Sequence, residues 1–406
     1  MVIVTKMRLR PILMVELIDI LGFLLLFFFS GTYDINIVYA GLALCGINLA
    51  AFSIIYFSGM GDGYLFLMVS MLVSIGIIML FRLNPERGFL QLNWFVIGIG
   101  LMFAAYGVFR LIRVWDKLVY IYVILTVVLF VVTLVFGDTI NGSRNWITFG
   151  GKSFQPSEII KILFVFVLSC FFSHGNREIK RTGIQRKDWV LMGYVYMCLG
   201  FLVLQREWGT AVLFVLTYFT MMILYDTPIK LVLMNIAMAV CGGVGGYFLT
   251  DHIRTRVTTW LDPWADATGR GYQITQSLIA IASGGFFGTG LGNGNPYLIP
   301  EVHSDFVFSA ICEEMGLFMG IAIIMLYFIF SYRGFKIALK AKSEFNKALS
   351  LGLVISFAFQ TFIIVGGVIK FIPLTGITLP FVSYGGSSMV SCFVTLGLLT
   401  AISAQN

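Results

Sequence analysis

Twelve stretches of roughly 20 apolar residues recur along this chain. No feature constrains it more, because a helix needs about that many residues to cross a hydrocarbon core about 30 Å thick. They lie near residues 12–30, 34–56, 65–81, 92–109, 118–136, 158–174, 189–204, 209–226, 229–250, 306–331, 346–368 and 386–403. Composition agrees: 59% of the 406 residues are hydrophobic and 12% charged, with a mean hydropathy of +0.93, outside the range of soluble domains. The expected fold class is all-α, a polytopic integral membrane bundle of about twelve transmembrane helices.

The charges between the stretches orient them, since cytosolic loops of multispanning proteins collect Lys and Arg. With Lys6, Arg8 and Arg10 inside, the even-numbered loops should be basic. Three are: Arg110 to Lys117, the run Arg177, Lys180, Arg181, Arg186, Lys187, and Arg333 through Lys347. The loops at 57–64 and 227–229 are nearly silent. Both termini are therefore expected in the cytosol, and the net charge of +7 describes orientation, not a nucleic-acid partner. The first stretch lacks a small-residue cleavage pattern and a second span follows closely, so it reads as a retained span. Six cysteines are scattered without a CxxC pair, which gives no disulfide framework and no zinc knuckle. GxGxxG after a strand, the Walker loop, HExxH and GxSxG are all missing, so nucleotide hydrolysis and metalloprotease chemistry have no support.

Three outside segments are compositionally unusual. Residues 137–158 mix Gly, Asn and Ser with Arg144, Trp146, Lys152 and Glu158. The stretch from Asp251 to 304 is too polar and glycine-rich to span, yet it carries QSLIAIASGGFFG, which suits an amphipathic or re-entrant segment at the outer interface. Residues 370–389 precede a serine-rich helix start. Turns at Asp262-Pro263, Gly269, Gly271, Gly284-Gly285, Gly288, Gly290 and Gly292 suit a built cavity wall; loop flexibility and close helix packing explain single glycines equally well.

Within IPEVHSDFVFSA (299–310), Glu301, His303 and Asp305 stand at the mouth of a long apolar span. Ser304 or Asp305 can cap that helix. Alternatively Asp305, in a partly dehydrated pocket, is a general base that takes a hydroxyl proton. His303 can donate a hydrogen bond, orient a phosphate or cap. Glu313 and Glu314 lie further along the same span, where acids are costly unless they face protein, water or a basic partner. Arg144, Lys152, Arg206, Arg254, Arg256, Arg270 and Lys370 all map outside, against the usual bias. A phosphate-bearing ligand would account for them; so would pairing with Glu158, Glu207, Asp262 and Glu301. A transporter would show broken spans echoed in two halves. Only one long irregular insert is present, which favours an enzyme acting on a lipid-linked phosphate.

SRNWITFGGKSFQPSEIIK (143–161), QREWGT (205–210), LDPWADATGRGYQITQSLIAIASGGFFGTGLG (261–292), IPEVHSDFVFSAICEEMG (299–316) and PLTGITLPFVSYGGSS (373–388) resemble the shape, elongation, division and sporulation proteins, the family of RodA, FtsW and SpoVE. The resemblance runs from about residue 65 to the end and implies a peptidoglycan glycosyltransferase. Such an enzyme polymerises lipid II into β-1,4 glycan strands at the outer face of the bacterial cytoplasmic membrane. It further implies Asp305 as the catalytic base of an inverting transfer, with Glu301 and His303 beside it. Arg144, Lys152, Arg206, Arg254 and Arg270 are candidate phosphate contacts, with or without a divalent cation (Mg2+ or Mn2+). Glu158, Glu207, Asp262, Gln273, Gln276, Glu313, Glu314, Ser383 and Ser387, all within those motifs, are the expected supporting residues. The implied partners are lipid II, the growing glycan strand, a class B penicillin-binding transpeptidase and other membrane proteins of the elongation or division complex.

Departures from the family pattern are specific. Its Pro-Glu-x-His-Thr-Asp-Phe has Ser304 for Thr. Its Gln-Pro-Asp-Leu-Gly-Thr becomes Gln205 to Thr210, with the longer acid Glu207. The asparagine expected before PLTG is replaced by an apolar residue near Ile364. Two spans precede the usual ten, so residues 1–60 read as an added two-helix segment and 61–406 as the polymerase core, including the extracytoplasmic loop 251–304. A lipid II flippase and a noncatalytic scaffold of the cell-wall complex are the alternatives.

Overall fold

The computed structural model describes residues 10–29, 34–140, 142–149, 152–173 and 185–405. All twelve expected stretches fold as helices: α1 (Arg10–Phe29), α2 (Ile35–Phe57), α3 (Gly63–Leu83), α4 (Pro85–Leu111), α5 (Val119–Phe136), α6 (Ser157–Ser173), α7 (Arg186–Leu204), α8 (Trp208–Leu224), α9 (Ile229–Leu249), α12 (Val307–Lys340), α13 (Glu344–Val368) and α14 (Gly386–Ser403). Among the described residues ten helices are long and apolar enough to cross a membrane. The two that fall short are α6 and α8, 17 residues each. The chain is a multi-pass membrane protein. Two further helices lie in the long insert, α10 (Asp251–Leu261) and α11 (Tyr272–Gly284); at 13 residues α11 is too short to span.

The 137–158 segment departs from the all-α expectation. It forms a three-stranded antiparallel meander of β1 (Asp138–Ile140), β2 (Ser143–Phe149) and β3 (Lys152–Phe154), with Thr139 opposite Arg144 and Ile147 opposite Phe154. Gly142, at φ 80°, turns the chain ahead of β2, while Trp146 and Ile147 supply β-forming side chains.

Two compact units divide the chain: residues 1–111, 276–333 and 378–406, and residues 112–275 with 334–377. In the first, α3 and α14 are the most buried helices, and α14 lies along α4. That approach is close enough for a Cβ on Gly397 to collide with the Met102 carbonyl; small residues permit such backbone contact where no hydrophobic force drives helices together. Phe393 fills the adjoining space between Phe95 and Phe381, ring centroids 5.5 and 5.2 Å away. Helix α12 breaks at Gly316 (φ 81°). In the second unit α13 is the buried helix, packing against α6 and α8, and Phe164 stacks on Phe214 at 4.1 Å.

Candidate active site

Asp305 lies in the turn that leads into α12 and is half-buried. The helix ladder begins one residue later: the amides of Ser309 and Ala310 both donate to the Phe306 carbonyl. Phe306, rather than Ser304 or Asp305, thus provides the first helical carbonyl. The amides of Ser304 and Asp305 instead donate to the carbonyl of Glu301, which adopts a left-handed φ of 54°. This winds 301–305 into a compact turn, an uncommon conformation for a non-glycine residue that the surroundings must enforce.

Residues 379–385 supply the enforcement. The Ser383 hydroxyl donates to the Ser304 carbonyl and the Tyr384 amide to the His303 carbonyl, 2.9 Å. The Leu379 amide donates back to Ser383 Oγ at 2.9 Å. From α4, Gln91 donates to the Ser383 carbonyl at 3.0 Å and accepts from the Gly385 amide at 3.3 Å. Ser383 is thus a clamp on the Asp305 turn. Ser387 is buried in the first turn of α14.

His303 Nε2 lies 3.3 Å from Glu301 Oε2, and its ring meets Tyr384 edge-on. Arg87 stands over the other ring of that contact, 5.5 Å from the Tyr384 centroid. Burial holds the His303 imidazole below its usual value; Arg87 adds to that and Glu301 opposes it. His303 is consequently a neutral hydrogen-bonding group near neutral pH.

Glu313 and Glu314 face protein. Glu314 pairs with Arg82 at 3.1 Å and accepts from the Gly292 amide at 3.1 Å, while Glu313 accepts from the Asn295 amide at 2.8 Å. Arg82 also donates to the carbonyls of Gly292 and Gly294. The backbone carbonyls of Glu313 and Glu314 take the amides of Thr289 and Gly290, and beyond the break Leu317 and Phe318 donate to the carbonyls of Gly285 and Phe286. The two acids thus fasten the glycine-rich loop to α12.

The remaining candidates lie in the second unit, except Gln276, which with Gln273 is half-buried on α11. Glu207 is buried; a single oxygen accepts from Thr210, Ser157 and Gln155 at 2.6, 2.7 and 2.9 Å, and the other has no partner. Burial pushes its carboxyl up, against the pull of those three bonds, and Glu158 adds to the rise. Glu158 itself pairs with Lys161 at 2.7 Å, and Lys161 also donates to Gln360.

The basic candidates are used in different ways. The Arg144 guanidinium donates to the Gly137 and Val135 carbonyls at the end of α5. Arg206 is exposed with φ 60°. Arg254 lies 3.7 Å from Asp251 and donates to the Phe248 carbonyl, and Arg270 is exposed. Asp262 accepts from the Trp264 and Ala265 amides, so it shapes a turn. Lys152 opens β3, but its side chain lies outside those described. Sequence reasoning passed over Arg82, Arg87 and Gln91; the two arginines lie at the adjoining ends of α3 and α4, at a boundary expected outside, and carried the same signal as the others.

Comparison with known proteins adds a frame to this geometry. Residues 63–406 match the family of FtsW, RodA and SpoVE, described as cell cycle proteins. Peptidoglycan glycosyltransferase RodA of Mycobacterium tuberculosis is 39% identical over 272 residues, 65% of this chain and 58% of that protein. The chain's match thus spans less than two thirds of that relative. Stage V sporulation protein E of Bacillus subtilis is 32% identical over 84% of this chain and 96% of its own length. A solved peptidoglycan synthase complex that coordinates polymerization and crosslinking contains a chain with a TM-score of 0.70 at 26% identity, covering 85% of this chain and 98% of that one.

Proposed function

We propose that this chain, which belongs to the FtsW, RodA and SpoVE family, is a peptidoglycan glycosyltransferase that polymerises lipid II at the outer face of the bacterial cytoplasmic membrane, with both termini cytosolic. The observation that carries the reading is the half-buried Asp305 on a turn clamped by Ser383, Tyr384 and Gln91. Clamping matters because a general base acts only when held within hydrogen-bond reach of the proton it removes.

In the reaction the acceptor 4-hydroxyl oxygen forms a bond to the donor anomeric carbon as the bond to undecaprenyl pyrophosphate breaks. Asp305 takes the hydroxyl proton and the pyrophosphate leaves with the electron pair. One displacement converts an α-linked pyrophosphate into a β-1,4 link, so the anomeric centre inverts. Neutral His303, paired with Glu301, orients the sugar or its phosphate. Arg206, Arg254, Arg270 and Lys152 are proposed as phosphate contacts on the sequence motifs that carry them, and the three arginines are exposed within the second unit. Arg144, whose guanidinium holds backbone carbonyls, is the weaker phosphate candidate. A class B penicillin-binding transpeptidase is the proposed partner, supported by the complex in which the similar solved chain occurs.

The test is polymerisation of labelled lipid II in liposomes, with and without the transpeptidase and across metal conditions. Asp305→Asn should abolish glycan ladders while folding and partner binding persist. Ladders unchanged in the variant would remove Asp305 from the base role, and none from the folded wild-type complex would favour a flippase or scaffold.

A further inference from the structure

The helices that precede the family match contain a polar cluster that the polymerase reading does not use. Glu16 and Asp19 lie one turn apart on α1, Cys45 and Asn48 one turn apart on α2, and Ser74 faces them from α3. All five sit near the middle of apolar helices. A carboxylate oxygen of Glu16, one of Asp19 and the Cys45 sulfur lie within 4.8 Å of one another. Asn48 Nδ2 donates to Asp19 Oδ2 at 3.1 Å and is 3.4 Å from Ser74 Oγ.

Donors are scarce there. Glu16 is 6% exposed and Asp19 and Asn48 are fully buried. Yet both Glu16 oxygens, Asp19 Oδ1 and Asn48 Oδ1 accept no hydrogen bond from an N–H or O–H. No Lys or Arg occurs between residues 11 and 81, so none of the three helices offers a cation at that depth. Acids within a membrane bundle pair with a base, line water or mark an ion site.

We propose that Glu16, Asp19 and Cys45 form an intramembrane binding site for one divalent transition-metal cation of the zinc class, with Asn48 holding the Asp19 carboxylate in place. Two carboxylates and a sulfur make a three-donor set suited to a borderline-soft ion, and hard cations such as Mg2+ would not favour the sulfur. Tetrahedral coordination at about 2.0–2.3 Å places neighbouring donors roughly 3.5 Å apart, so the present spread closes by about an ångström, within reach of a Glu side-chain rotation. As neutral acids the three groups hold three protons. A divalent ion displaces two of them to water, from the thiol and one carboxylic acid, and leaves the cluster neutral with one proton retained.

The full chain in nanodiscs, loaded with Zn2+ or Co2+ and washed with a weak chelator, provides the test. One ion per chain is expected, lost in the Glu16→Gln/Asp19→Asn double variant, and bound Co2+ should show a sulfur-to-metal charge-transfer band. Cys45→Ser should abolish that band and weaken Zn2+ binding more than about tenfold, the scale at which even outer-shell changes act. A wild-type chain that retains no ion, an ion retained by the double variant, or a cobalt spectrum unchanged by Cys45→Ser would each overturn the proposal. The cysteine variant keeps the test decisive if the double variant does not fold.

Discussion

At the scale of single residues, two groups carry pH and hydrogen-bond consequences. His303 is held below its ordinary value of 6.5 by burial and by Arg87. A histidine whose pKa falls on folding binds protons more readily when unfolded. Its contribution to stability is therefore intact above 6.5 and is lost as pH drops towards the lower folded value. The apparent melting temperature in detergent should fall between about pH 7 and 5, and less steeply in His303→Asn. Glu207 concentrates three donors on one oxygen. Glu207→Gln keeps that acceptor and should change stability by less than about 1 kcal/mol, whereas Glu207→Ala orphans the donors and should cost about 1–3 kcal/mol in denaturation assays. Asp305, Glu301 and His303 were legible as candidates because polar residues at the mouth of an apolar span are conspicuous. Arg82 and Gln91 were not, because Glu314 and Ser383 lie more than two hundred positions away in the chain.

At the scale of elements, hydropathy located the long helices but not their interruptions. The run 306–331 reads as one uninterrupted span, yet it breaks at Gly316, where φ is 81° and an added Cβ would meet the Phe286 carbonyl. Gly316→Ala should lower apparent thermal stability by about 1–3 kcal/mol and loosen the 284–295 loop, seen as faster amide exchange there. The meander at 138–154 was obscured for a different reason. Its strands are short and its turn residues dominate the composition, so periodicity had too few positions to register.

At the scale of the whole molecule, charge counting gives the proposed orientation but nothing about the grouping of elements. Nothing local announces that residues 276–333 and 378–406 join the first 111 in one compact unit; Arg333 and Asp62, 2.6 Å apart, illustrate a pairing set by tertiary structure. Orientation is directly testable. On a background free of the six native cysteines, Thr268→Cys should react with an impermeant maleimide added outside intact cells, and Lys342→Cys only after permeabilisation; the reverse pattern would invert the assigned topology.

Bilayer thickness acts on a chain of this kind through its longest helices, which answer a mismatch by tilting. In α12 the portion that must match the hydrocarbon lies beyond Gly316, while the residues just before it are fastened to the 284–295 loop through Glu313 and Glu314, and the turn ahead of the helix to Ser383 and Tyr384. A change of tilt in the long portion is not passed through a continuous helical ladder to the Asp305 turn. The carboxyl's position is set by its own loops and insulated from the lipid.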